Sequence, residues 1–298
     1  MTISDRTDVL GAGCPLNVLK IPCKEGGQPA LLANCSAMTT PKVGIALSGG
    51  GARGFAHVGV LKALAENGIP VHLVSGVSAG SFVGGALAAG LTPDEIIEIG
   101  RKVSWMAVAG FSYSPRGLLS SGAMGQFITA NFPVDRFEDL KIPFAAVACD
   151  LTTGDEVVFK DEGDLAFAIR ASCAIPGVFV PMIDQDGRSL VDGGAVTPMP
   201  TRAVKKLGAD IVIAVDVLSC GSTYWGKPNT LIGTFFQSAM IMIRTASKNQ
   251  HYRADVVIEP PIAHIRPDEI GKRDELIALG EQTALEKVPE IKRLLGQQ

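Results

Sequence analysis

Two short stretches of this chain bring together residue types that can do chemistry. The first is Gly76-Val77-Ser78-Ala79-Gly80, a G-x-S-x-G. A serine on a sharp strand-to-helix turn lifts its hydroxyl above the sheet, and small flanking residues relieve crowding in the strained turn. The helix start behind it adds backbone N–H groups and positive potential where negative charge develops. Here the apolar "VHLV" precedes the pattern and the small-residue run "SFVGGALAAG" follows it. That setting marks Ser78 as a nucleophile for acyl transfer.

The second stretch is "LSGGGARGFAHVG", residues 47–59. Gly49, Gly51 and Gly54 satisfy G-x-G-x-x-G behind the apolar "KVGIAL", the formal fingerprint of a dinucleotide-binding turn. The same loop can instead offer bare backbone N–H groups to the oxyanion of a scissile ester. A dinucleotide site needs an acid about 20 residues further on, at the tip of the second strand. Glu66 comes too early, inside the first predicted helix, and the next acid is Asp94. No Gly-Lys-Ser/Thr follows the loop either, so a phosphate-cradling P-loop is excluded.

A serine nucleophile needs a base, usually histidine. His57 falls on the first predicted helix, His72 opens a strand, and His251 and His264 lie in polar surroundings. None follows a strand end as a triad histidine does. In "SLVDGGAVTPMP" Asp192 sits in a Gly193-Gly194 turn, where a carboxylate can approach another backbone closely. Taken in isolation, that D-G-G is better explained as an ordinary hairpin turn.

The elements that must position these residues follow from hydrophobic pattern. "KVGIALS", "VHLVSG", "IPFAAVACDL", "ADIVIAVDV" and "DVVIEP" are apolar runs of strand length. "FAHVGVLKALAENG" puts Val58, Leu61, Leu64 and Ala65 on one helical face and stops at Gly68. "TPDEIIEIGRKV" opens with a capping Thr92 and with Pro93 in its first turn. "DLAFAIRAS", "MPTRAVKKLG", "NTLIGTFFQSAMIMIRTASKNQ" and "RDELIALGEQTALEKVPEIKRLLG" read as helices. Alternating strands and helices predict one α/β layered domain over residues 42–298, around a mainly parallel sheet.

Composition narrows the function classes. The net charge of −3, with scattered lysines and arginines, gives no footprint for nucleic acid. Six cysteines (Cys14, Cys23, Cys35, Cys149, Cys173 and Cys220) form no C-x-x-C pair, and four histidines argue against zinc. Spread this widely, they read as reduced thiols of a cytoplasmic protein, with Cys149 and Cys173 buried. Gly68 to Pro93 carries no charge, but its Gly, Ala and Ser content suits a buried strand, turn and helix better than a membrane span. Residues 1–41 show neither period and no secretory pattern, and read as a disordered tail. Within it "LLANC" is a poor lipoprotein processing site, since Asn34 replaces a small residue and Lys20, Lys24 and Glu25 break the apolar run.

Taken together, "GGGARG" (49–54), "GVSAG" (76–80), "RASCAIP" (170–176) and "DGG" (192–194) resemble the patatin-like phospholipases, especially the bacterial members and the catalytic domain of neuropathy target esterase. The resemblance spans about residues 42–220. It implies a three-layer α/β/α sandwich and lipid acyl hydrolysis by a Ser–Asp dyad without histidine. Ser78 is then the nucleophile, within the elbow Gly76, Val77, Ala79 and Gly80, and Asp192 the base, within the turn Gly193 and Gly194. Gly49, Gly50, Gly51, Ala52, Arg53 and Gly54 become the oxyanion loop, with the N–H groups of Gly50 and Gly51 as donors and Ala79 beside them. Arg53 is expected to brace the loop, and Arg170 and Pro176 to support the Asp192 turn. No cofactor or metal is implied.

The implied substrate is a phospholipid, lysophospholipid or other fatty-acyl ester, met by a cytoplasmic protein with peripheral membrane contact. Apolar residues of 111–119 and 231–243 can line an acyl groove, although Leu231, Phe235 and Met242 fit ordinary core better. A non-catalytic lipid-binding or regulatory protein on the same fold is the alternative.

Overall fold

The apolar run after Lys42 becomes strand β1, Val43–Leu47, every residue of which is buried. The computed structural model describes residues 40–221 and 228–297, so the tail expected over 1–41 lies almost wholly outside the described residues. The remaining strands are β2 (Leu73–Val77), β3 (Gly110–Phe111), β4 (Gly117–Ser120), β5 (Phe144–Asp150), β6 (Glu156–Phe159), β7 (Gly177–Phe179), β8 (Met182–Ile183), β9 (Ser189–Asp192), β10 (Ile211–Val215) and β11 (Val256–Ile258). The helices are α1 (Phe55–Glu66), α2 (Ala79–Ala88), α3 (Pro93–Lys102), α4 (Trp105–Val108), α5 (Gly122–Asn131), α6 (Leu165–Ser172), α7 (Thr201–Lys206), α8 (Leu231–Gln250) and α9 (Arg273–Leu294).

The main sheet runs β11-β10-β1-β2-β5-β9-β8, with β6 also on β5. Pairings from β11 across to β5 are parallel, as the apolar runs predicted. Those of β6, β8 and β9 are antiparallel. A small second sheet orders β3-β4-β7.

Because strand side chains alternate, each central strand feeds two layers. Val43, Ile45, Leu47, Val74, Phe144, Ala146, Ile213 and Val215 join the core under α1, α2, α6 and α9. Ala46, Leu73, Val212 and Ala214 face the other way, onto Val204 of α7, as Val77, Ala145 and Val147 face its Ala203. The fold is therefore an α/β/α sandwich, thick on one face and thin on the other.

Local signals behave as expected at α3, where Thr92 and Glu95 form a reciprocal capping box, worth about 1 kcal/mol. In α1, Val58, Leu61 and Leu64 are buried, but Ala65 is exposed and Ala63 takes its place. That helix packs along α9, where a methyl on Gly59 would strike the Ile277 carbonyl at 1.9 Å. Two contiguous apolar stretches depart from expectation. Phe111, Tyr113 and Leu118 are exposed, and so are Leu231, Phe235 and Met242 of α8, which are not core.

Candidate active site

Ser78 follows directly on β2, and its backbone has φ 53° and ψ −125°, a left-handed turn rare for a residue with a side chain. The flanking glycines make this turn sterically feasible. A Cβ on Gly76 would meet the Gly80 carbonyl at 2.3 Å, and one on Gly80 would meet the Leu47 carbonyl at 2.3 Å. Strand, elbow and α2 thus close on one another without room for a methyl group.

Register brings Asp192 to the same place. Val77 pairs with Val147 on β5, and the next β5 residue, Ala148, pairs with Asp192 at the end of β9. Ser78 and Asp192 therefore stand on either side of Ala148. The Asp192 backbone N–H donates to the Ala174 carbonyl at 2.9 Å, and its Oδ1 accepts the Gly194 N–H at 2.8 Å. Gly193 is forced by proximity, since a Cβ there would lie 2.2 Å from the Val147 carbonyl. Burial pushes the Asp192 carboxyl up to about 6, against the downward pull of the Ser78 hydroxyl and the Gly194 N–H.

The glycine loop, between β1 and α1, spends most of its donors internally. Gly49 N–H goes to the Pro198 carbonyl, Ala52 N–H to the Pro267 carbonyl at 2.7 Å, and Arg53 N–H to the Gly50 carbonyl. Among the described residues Gly50 and Gly51 N–H have no backbone acceptor outside the loop's own helical turn. Ala52 and Arg53, named in the loop from sequence, thus have no N–H to offer. Gly51 has φ 59°, and a Cβ there would meet the Pro267 carbonyl at 2.5 Å, so only glycine fits. Arg53 is buried, and its guanidinium donates to the carbonyls of Ile265, Val217 and Gly221. It braces the loop.

None of the four histidines bonds Ser78 or Asp192. His57 Nε2 donates to the Ser48 carbonyl at 2.9 Å, which leaves Nδ1 without a partner. Burial pushes its imidazole down to about 4, despite the upward pulls of Ser48 and Asp216. His72 Nδ1 accepts the Val43 N–H, and His264 bonds Glu275 at the surface. His251 belongs to a separate cluster built on buried Asp216. Asp216 Oδ2 accepts from His251 Nε2 and Ser247 Oγ, both at 2.6 Å, and Oδ1 accepts the N–H groups of Leu218 and Ser219. Burial alone would raise the Asp216 carboxyl, but these bonds reverse the direction and hold it low. Serine and histidine here both face the carboxylate rather than each other, so this is an anchor between β10 and α8 and not a relay.

Two features escaped the sequence. Ser172, in "RASCAIP", donates to the Val147 carbonyl at 2.6 Å and accepts the Ser78 N–H at 2.9 Å. It ties the elbow to the strand that separates it from Asp192. Arg170 of the same motif does not support the Asp192 turn; its Nε donates to Ser121 Oγ and its Nη2 reaches Met182. Pro176 is exposed, and Ala174 supplies the support instead. The second feature is a cavity of about 140 Å3. Its walls include Gly51, Ser78, Phe55, Val58, Val103 and Val108, so its lining is apolar apart from Ser78 and Cys173. Burial and the Asp192 charge push the Cys173 thiol up to about 12, against the Ser81 and Ser78 hydroxyls, so it stays protonated. Among the described residues, neither 111–119 nor 231–243 contributes a wall.

Residues 45–205 match the family model described as Patatin-like phospholipase. An uncharacterized NTE family protein of Mycobacterium tuberculosis is 39% identical over 182 residues, covering 60% of this chain and 50% of that protein. Patatin-like phospholipase domain-containing protein 6 of Homo sapiens is 36% identical over 193 residues, 62% of this chain and 14% of that protein. The chain thus aligns with half or less of the length of these relatives. Among solved structures, VipD from Legionella pneumophila superposes with a TM-score of 0.60 at 15% identity, covering 85% of this chain and 67% of that one, a likeness of fold. With more than half of its length matched to the family and the same sandwich beneath it, the chain belongs to the patatin-like phospholipases.

Proposed function

We propose that this chain hydrolyses fatty-acyl carboxylic esters, phospholipid or lysophospholipid among them, with Ser78 as nucleophile and Asp192 as base. The observation that carries this reading is the meeting of a strained Ser78 with a buried carboxyl raised to about 6, at the wall of an apolar cavity. As Ser78 Oγ attacks the ester carbonyl, Asp192 takes its proton and the carbonyl electron pair moves onto oxygen. The N–H groups of Gly50 and Gly51 receive that oxyanion. Collapse expels the alcohol, which recovers the proton from Asp192. Water, deprotonated by Asp192, then attacks the acyl-serine; the acyl–oxygen bond breaks, Asp192 returns the proton to Ser78 Oγ, and the fatty acid is released.

A carboxylate near 6 binds a proton about 100-fold more strongly than one at 3.8. That is still weak for an alcohol, so oxyanion stabilisation carries most of the barrier. A lipid-binding module without turnover would need neither the strained serine nor the buried carboxylate. A fluorophosphonate probe followed by mass mapping tests the assignment. The label should fall on Ser78 and vanish in Ser78→Ala; labelling of another residue, or none, refutes it.

A further inference from the structure

Five exposed apolar residues share one segment, Trp105 to Leu118, whose first residue lines the cavity. Met106 is 91% exposed, Tyr113 96% and Phe111 78%, extents typical of a side chain with nothing packed over it. Phe111 and Tyr113 meet edge to face with centroids 5.2 Å apart, so they form one aromatic knob. Phe111 pairs with Leu119 across the β3–β4 hairpin, which puts Leu118, also 72% exposed, on the hairpin's opposite face. A strand pair covering a core is apolar on one side; this one is apolar on both, as a wedge entering an apolar medium must be.

Charge and continuity identify the medium. No Asp or Glu occurs between Glu98 and Asp135, although the chain as a whole is acidic. The same interval carries Arg101, Lys102 and Arg116, all exposed. Arg101 pairs with Glu98, and among the described residues Lys102 reaches Asn131. Arg273 donates to the carbonyls of Gly100 and Arg101, adding a further cation at the end of α3. Trp105 and Val108 of α4 line the cavity that holds Ser78, and Ala109 alone separates α4 from β3. Trp105 is steadied there by its indole N–H on the Asp268 carbonyl.

We propose that residues 105–118 form a docking wedge for an anionic lipid bilayer. Met106, Phe111, Tyr113 and Leu118 enter the headgroup and acyl boundary, and Lys102 and Arg116 meet lipid phosphates. An acyl chain then passes from the bilayer along α4 into the cavity. Docking itself stands on the surface alone; only that transfer step rests on the proposed ester hydrolysis.

Co-sedimentation of the full chain with phosphatidylcholine vesicles, with and without phosphatidylglycerol, tests the wedge. The protein should sediment with the anionic vesicles, and Ser78→Ala should do so equally. Combined Met106→Ser, Phe111→Ser and Tyr113→Ser should weaken partitioning on the order of tenfold or more. Turnover of a short water-soluble ester should stay within about twofold, while hydrolysis of vesicle lipid falls with binding. Arg116→Glu should weaken binding to anionic vesicles without touching an apolar residue. Failure of the wild-type chain to sediment, or undiminished sedimentation of the triple variant, overturns the proposal. Release by Phe235→Ser with Met242→Ser, and not by the triple variant, overturns it in favour of α8. Docking without ester turnover would instead refute the catalytic reading and leave the wedge standing.

Discussion

Replacing Asp192 with asparagine removes a charge while keeping shape and the acceptor for the Gly194 N–H. The folded protein holds this carboxyl at about 6, against 3.8 for the unperturbed group. Burial favours the protonated form, so the group's contribution to stability is full below pH 3.8 and is lost as pH rises through 6. A shift of about two units corresponds to about 3 kcal/mol between those limits. Asparagine carries no such pH dependence. Asp192→Asn should therefore match the wild type in stability near pH 4 and exceed it by up to about 3 kcal/mol at pH 8. In a domain of this size that is a rise in Tm of roughly 5–10 °C. Paired denaturant titrations at pH 4, 6 and 8 read the difference, and comparison at each pH cancels the other titrating groups. A variant no more stable than wild type at pH 8, or an advantage independent of pH, refutes the buried-charge reasoning.

Removing Ser172's hydroxyl in Ser172→Ala orphans the Ser78 N–H; stability should fall by about 1–3 kcal/mol and ester kcat by about tenfold, with KM little changed, while Ser172→Thr recovers part of both. Gly51→Ala meets the Pro267 carbonyl at a positive φ, so kcat should drop by about 10²-fold or more as the donor loop shifts, measured on protein whose circular dichroism remains native. His251→Ala leaves Asp216 buried with one fewer partner and should cost about 3 kcal/mol in denaturant unfolding. With Asp192 as base, kcat/KM for a soluble ester should decline below about pH 6, where burial places that carboxyl.

The parts of the fold legible in sequence were those with a local signature. Five apolar runs became parallel strands because a strand covered on both faces must be apolar throughout. The elbow glycines were legible because no other residue fits where Gly76 and Gly80 touch backbone. Ser172 was not, because its partners lie 94 and 25 residues away and nothing beside it differs from an ordinary helix end. The antiparallel edge was hidden as well: Glu156–Phe159 and Met182–Ile183 are too short to show a period. The cavity draws Phe55, Val58 and Ile96 from two helices whose apolar faces look like plain core. Periodicity marks a residue as apolar on one face, not whether another element covers that face. Leu231, Phe235 and Met242 therefore passed for core and are exposed.

The central claim is that Ser78 and Asp192 act as one unit without histidine, and ester turnover of four purified, folded variants tests it most directly. Ser78→Ala and Asp192→Asn should each lower kcat by about 10³-fold or more, and the double variant should lose no more than either alone. His57→Asn should keep at least about a tenth of wild-type kcat, because its imidazole is committed to the Ser48 carbonyl. A folded His57→Asn as inactive as Asp192→Asn, or additive losses in the double variant, would contradict the account.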